Sequence, residues 1–305
     1  MFAHFNYHTM DASRTKQIEI WEKQYSPSQW SKRFPTASEC IDYHLKFVRD
    51  LSDENRKEFQ CNLNVAYGDM EREKFDIYGH DLPEDAPLFV YIHGGFWQML
   101  NKEESAYCVK PLVERGFRVI ILDYELCPDV ALEQIVVQIK RAGEHILNYA
   151  AVNRVKHVCF AGHSAGAHLI ATMLDRDFVA TVGSKIQLIK HLYLISGVYG
   201  LDELRFTQAV NADNLLGLDD ATTISLSPMQ MSYQHLSNLG IKFHIYVAEH
   251  DSSVFKQMSI DLNKHLDRYG ITSDLHILPG LDHFDIVEKL SEKNFVITSQ
   301  ILENV

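Results

Sequence analysis

The chain has 305 residues, 46% of them apolar and 23% charged, with 29 basic and 41 acidic side chains for a net charge of −12. This is the composition of a folding globular chain that needs no disulfide or metal staples, and it excludes disordered and collagen-like classes. The acidic balance excludes a surface built to neutralise phosphates, so neither nucleic acid nor an anionic membrane is an expected partner.

Residues 1–57 read as a polar helical extension. DASRTKQIEIWEKQY is followed by a stretch with apolar residues at helical spacing (Ile41, Leu45, Val48, Leu51). The first residues, MFAHFNYHTMDASRTKQ, lack the unbroken apolar stretch of a secretory leader. CNLNVAYG and EREKFDIYG follow as two strand-like runs around Gly68-Asp69, which predicts a hairpin at one sheet edge. Six short apolar runs come next: PLFVYIHGG, FRVIILDY, KHVCFAGH, IKHLYLISG, KFHIYVAEHD and SDLHILPG. Helical stretches lie between most of them, near 103–115, 131–152, 165–175 and 253–269, with a last one near 288–303. Strands alternating with helices predict an α/β fold with a mostly parallel sheet of about eight strands and helices on both faces. The stretch 200–240 breaks the alternation and reads as an inserted cap on what is otherwise a single domain, 1–305.

The five cysteines form no CxxC pair and are odd in number, which fits free thiols in a reducing, cytosolic compartment. No apolar run approaches the roughly 18 residues of a membrane span. Histidines and cysteines show no metal-ligand spacing, so no metal is expected.

The chemistry concentrates at Gly162-His163-Ser164-Ala165-Gly166, where a strand runs directly into a helix. G-x-S-x-G in that setting is a nucleophile elbow, whose glycines keep side chains out of a sharp turn. A serine hydroxyl needs a base, and the base an orienting acid. In this fold the chain order is Ser, acid, His, each after a strand. Asp251 follows KFHIYVAEH, and His283 follows SDLHILPGL. Ser164, Asp251 and His283 are therefore the expected triad; Glu249, His250 and His276 are rivals placed less well relative to their strands. Donors for an oxyanion are expected from the amide of Ala165 and from Gly94 and Gly95 in the loop after PLFVYI, with His93 holding that loop.

With these residues in place, the chain resembles the kynurenine formamidases (arylformamidases) of the α/β-hydrolase superfamily. The likeness runs through YSPSQW (25–30), YGDMEREKFDIY (67–78), HGGFWQ (93–98), KEESAY (102–107), GHSAGAHL (162–169), SGVYGL (196–201) and DHFDIVE (282–288). The resemblance places the triad on the same three residues. It implies hydrolysis of N-formylkynurenine, a small-molecule substrate, to kynurenine and formate without a cofactor, and a cytosolic homodimer. Phe96 stands where relatives often carry Tyr, and EHDSSVF lacks a proline that relatives often have after the DS pair. Phe96 and Trp97 are expected walls for the aryl ring or ordinary core residues. Ser196 is a contact for the substrate's amino-acid end or a strand-end cap. A general short-chain carboxylesterase shares the same motifs, and a catalytically silent hydrolase-fold binding module stands as the reading from another class.

Overall fold

The structure is a computed structural model that describes residues 12–304. The stretch read as lacking a leader, and the start of the expected helical extension, lie outside the described residues below residue 12. Eight strands form one sheet: β1 (Cys61–Ala66), β2 (Lys74–Tyr78), β3 (Leu88–Ile92), β4 (Arg118–Leu122), β5 (Val158–His163), β6 (Ile189–Ile195), β7 (Lys242–Ala248) and β8 (Ser273–Leu278). Their spatial order is β1-β2-β4-β3-β5-β6-β7-β8. The hairpin β1–β2 pairs antiparallel and continues antiparallel onto β4, while the remaining six strands run parallel.

The central strands show why the apolar runs are unbroken. All five residues of β3 and of β4 are buried, because helices cover both faces of the sheet. Leu88, Val90 and Ile92 point into one layer with Ile135 and Ile139 of the helix Leu132–Val152. Phe89 and Tyr91 point into the opposite layer with Leu112, Ile297 and Ile301. At roughly 1.5–3 kcal/mol for each large apolar side chain removed from water, this two-sided burial outweighs local propensity in deciding that the runs are strands.

Among the described residues, two α-helices precede the sheet, Ala12–Gln24 and Ala37–Glu58. The second starts at Thr36, whose side chain accepts the Glu39 amide, and turns Cys40, His44 and Val48 inward. The segment between β6 and β7 is a run of short helices, among them Gln208–Asn211 and Asp220–Ser225. The N-terminal helix holds it: Trp21 stacks on Phe206 at 5.9 Å, and the Glu22 carboxylate accepts the amides of Gln208 and Ala209.

Strand order positions the site. From β3 the chain moves outward to β4, then returns past β3 to β5, so the order reverses between β3 and β5. The crevice beyond the carboxyl ends of such a pair is where open α/β sheets carry ligands. The loops after β3, β5, β6, β7 and β8 all emerge at that end, and they contain every residue singled out as catalytic or binding.

Candidate active site

At the end of β5 the chain turns through Ser164 into the helix Ala165–Met173. Ser164 has φ 51° and ψ −113°, a backbone conformation that L-residues rarely adopt and that costs on the order of 1–3 kcal/mol. The surroundings hold it there: the Ser164 amide donates to Ile195 O at 2.8 Å, and its carbonyl accepts the His168 amide at 3.2 Å. The second glycine of the motif is fixed by close approach. A Cβ on Gly166 would lie 2.1 Å from the carbonyl oxygen of Ile92, so only glycine lets the helix start against the end of β3.

Asp251 and His283, 32 residues apart, meet at 2.7 Å between Oδ1 and Nδ1. Asp251 is fully buried, and its Oδ2 accepts the Ser196 hydroxyl at 2.6 Å and the Ala248 amide at 3.2 Å. Three donors on one carboxylate offset its desolvation and leave it no freedom to rotate. Because the carboxylate accepts, the imidazole proton sits on Nδ1, and Nε2 keeps a lone pair for use as a base. Phe255 contacts the imidazole edge-on at 4.9 Å, and the His163 ring lies at 4.6 Å.

His163, the variable residue before the nucleophile, ties the two loops together: its Nε2 donates to the backbone carbonyl of His283 at 2.8 Å. Burial first, and the neighbouring His283 second, hold its pKa far below the ordinary histidine value. His163 is thus a neutral strut and not a second base. Ser164 and His283 reach the same end of the sheet without a hydrogen bond between them, and catalytic bonds of this type commonly tighten only in the Michaelis complex. The rivals point elsewhere. Glu249 is exposed and accepts the Gly280 amide, while His276 pairs with Asp274 on edge strand β8.

The loop after β3 lies against the elbow. A Cβ on Gly94 would sit 3.1 Å from Cβ of Ser164, and Gly95 has φ +94°, again a position suited to glycine. His93 braces the loop from beneath, stacked on Tyr124 at 4.4 Å with Nδ1 2.9 Å from Gly94 O. The Tyr124 hydroxyl donates to His93 O at 3.0 Å. Asp123 completes the brace, with Arg72 at 2.7 Å; burial alone would raise its carboxyl, but His93 and Arg72 hold it below the usual range.

Two expected substrate contacts are corrected by this geometry. Ser196 is fully buried with its hydroxyl committed to Asp251, so it positions the acid and presents nothing to a substrate's amino-acid end. Trp97 is also fully buried, edge-on to His168 at 4.8 Å within the main core, so it is a packing residue and not a wall of the site. Phe96, next to it, stays partly exposed at the rim of that core. The role of Ser196 had no local signal, because its partner lies 55 residues away in the loop after β7.

The cysteines stand outside this chemistry. All five are unpaired, and burial pushes the thiols of Cys108, Cys127 and Cys159 up to about 12. No helix among the described residues is long and apolar enough to cross a membrane.

The turn carrying His283 contains a strained carboxylate pair. The Asp282 amide donates to Asp285 Oδ1 at 2.7 Å, and Asp282 Oδ1 accepts the amides of Phe284 and Asp285. Burial would raise the Asp282 carboxyl, but hydrogen bonds from Arg33, Ser31 and these amides hold it far below its usual range. Burial, and then the Asp282 charge, raise Asp285 to about 7. A carboxyl raised in the folded state contributes its stability fully below its unfolded pKa near 4 and loses it as pH rises through about 7. Replacing Asp285 by Asn keeps an acceptor for the Asp282 amide and removes that loss. The variant's Tm is expected to exceed the wild type's by a few degrees at pH 8 and to match or fall below it at pH 4. A constant difference between the two across that range overturns the assignment.

Comparison with known proteins places the chain in a family. The BD-FAE family model matches residues 75–266, from β2 to the helix after Asp251. The kynurenine formamidase of Drosophila melanogaster is 33% identical over 290 residues, covering 93% of this chain and 96% of the relative. That of Salmo salar is 33% identical, covering 92% and 94%. Among solved structures, an esterase from Pyrobaculum calidifontis superposes with a TM-score of 0.63 at 17% identity, covering 93% of this chain and 94% of that one. Esterase B of Lactobacillus Rhamnosis gives 0.61 at 18%, covering 85% and 92%. At such identity these two carry the fold alone, the α/β-hydrolase fold, whereas the formamidase relatives match along nearly the whole chain: the protein belongs to the kynurenine formamidase family.

Proposed function

We propose that this chain is a serine hydrolase that cleaves the formamide bond of N-formylkynurenine to give kynurenine and formate. The observation that carries the reading is the 2.7 Å Asp251–His283 hydrogen bond at the sheet end that also holds Ser164 on its elbow, in a chain of this family. Ser164 Oγ attacks the formyl carbon while His283 Nε2 takes its proton, and Asp251 stabilises the imidazolium. The tetrahedral oxyanion is received by the amides of Ala165, Gly94 and Gly95. No loop or turn hydrogen bond takes up these three amides among the described residues, which supports their use here. Each such donor is worth about 3–4 kcal/mol in the transition state. As the intermediate collapses, His283 protonates the aromatic amine and kynurenine leaves. Water then attacks the formyl-serine with His283 again as base, releasing formate and restoring the hydroxyl.

A formyl group offers almost nothing to grip, so selectivity rests on the leaving group, with Phe96 as the aryl contact that remains at the rim. In this reading residues 1–305 form one hydrolase domain with 200–240 as its cap, and the enzyme works as a cytosolic homodimer. The test is direct: purified protein is expected to consume N-formylkynurenine with equimolar kynurenine and formate, at a kcat/KM far above that for p-nitrophenyl acetate. Efficient ester hydrolysis without formamidase turnover supports the carboxylesterase reading instead.

A further inference from the structure

Just beyond the YSPSQW segment, Ser31 and Arg33 reach across the molecule to the loop that carries His283, some 250 residues later. Arg33 donates from Nε to Asp282 Oδ2 at 2.8 Å and from Nη2 to Asp282 Oδ1 at 3.1 Å. The other side of its fork meets Glu288, with Nη1 2.8 Å from Oε2 and Nη2 3.4 Å from Oε1. Ser31 Oγ adds a 2.5 Å hydrogen bond to Asp282 Oδ2. Both carboxylates are nearly inaccessible, at 1% and 4% exposure, and Glu288 also meets His44 Nδ1 at 2.9 Å. One guanidinium thus bridges the residue immediately before His283 and the last residue of the helix Asp285–Glu288 after it.

The bridge spans the histidine. Asp282 Oδ1, one of the atoms Arg33 holds, accepts the amides of Phe284 and Asp285 and so sets the turn in which His283 sits. His44, from the same N-terminal region, lies against Phe284 at 5.0 Å. A planar, bidentate fork imposes orientation as well as charge, which a lysine ammonium does not.

We propose that Arg33 is a positioning residue for His283: by clamping Asp282 to Glu288 it fixes the imidazole between Asp251 and Ser164. Arg33 touches no reacting atom, so its removal acts on alignment. The inference rests on the triad assigned above but not on the identity of the natural substrate.

The test compares wild type, Arg33→Met, Arg33→Lys and Ser31→Ala. Lys140→Met serves as a stability control, since Lys140 pairs with Asp175 at the start of the helix Arg176–Val182, outside the loops that carry the triad; Arg141 is left untouched because its partner Glu73 adjoins Arg72 of the His93 brace. In Arg33→Met, kcat for N-formylkynurenine is expected to fall about 10²-fold with KM within about twofold, as misplacement of a catalytic group by about 1 Å predicts. Arg33→Lys recovers little of it. The rate of fluorophosphonate labelling at Ser164 and the turnover of p-nitrophenyl acetate fall by the same factor, so the clamp is tested even where the formamidase reading fails. If Arg33→Met does not fold, Ser31→Ala carries the test, with a smaller fall in kcat at near-native Tm. An unchanged kcat and labelling rate in the folded variants overturns the proposal. So does a loss in Lys140→Met equal to that in Arg33→Met at matched Tm, or an absence of labelling at Ser164 in wild type.

Discussion

Ser164→Ala is expected to abolish turnover, with kcat on N-formylkynurenine falling about 10⁵–10⁶-fold, the range seen when a serine nucleophile is deleted from such a triad. The residue supplies the only oxygen available for covalent attack at the elbow, and what remains without it is binding and oxyanion stabilisation. The fold is expected to survive. Alanine keeps the Cβ that packs beside Gly94, and the backbone bond from residue 164 to Ile195 O does not involve the hydroxyl. The Tm is therefore expected to stay within about 2 °C, since the substitution removes only the hydroxyl and keeps both the Cβ packing and the backbone bond. Turnover is followed by kynurenine release, and covalent labelling by mass after treatment with a fluorophosphonate. More than about 1% residual turnover, or labelling elsewhere, would remove Ser164 from the mechanism.

Asp251→Asn is expected to lower kcat about 10⁴-fold while leaving KM nearly unchanged. The reason lies in how the carboxylate is surrounded. Oδ2 faces two donors, the Ser196 hydroxyl and the Ala248 amide, and Oδ1 faces His283 Nδ1. Asparagine has one acceptor oxygen, and the two fixed donors claim it, which turns the amide NH₂ toward the imidazole. Nδ1 must then accept, so the proton moves to Nε2, and the histidine cannot take a proton from Ser164. Truncating Ser196 to Ala in the Asn variant removes one of the two donors and is expected to restore part of the loss. A single variant with activity near wild type would show that the imidazole tautomer is not set by Asp251.

How the chain divides between local and distant information is visible in particular residues. The strands were legible because a sheet buried on both faces demands unbroken apolar runs, as in Leu88–Ile92 and Arg118–Leu122. The elbow was legible because its constraints are local: Gly166 must pass within reach of Ile92 O, and Ser164 must turn at φ 51°. Asp251 and His283 were legible through chain order and position after a strand. Ser196 and Trp97 were misplaced for a common reason. A side chain's role depends on what closes over it, and their neighbours Asp251 and His168 come from distant parts of the chain. The bracing of the histidine loop was still less accessible, since Ser31 and Arg33 find their partners some 250 residues away.

The amino-acid sequence by itself determined the α/β class and the family and singled out Ser164, Asp251 and His283 as the candidate triad, because these follow from residue type, motif and chain order after the strands. Tertiary structure alone decided which groups hold those three in register. It made His163 a neutral strut, Ser196 the second partner of the acid, and Asp285 a carboxyl held up to about 7 beside ionised Asp282. These roles arise from burial and from hydrogen bonds between strands and loops far apart in the chain, and neither quantity is defined until the chain has folded.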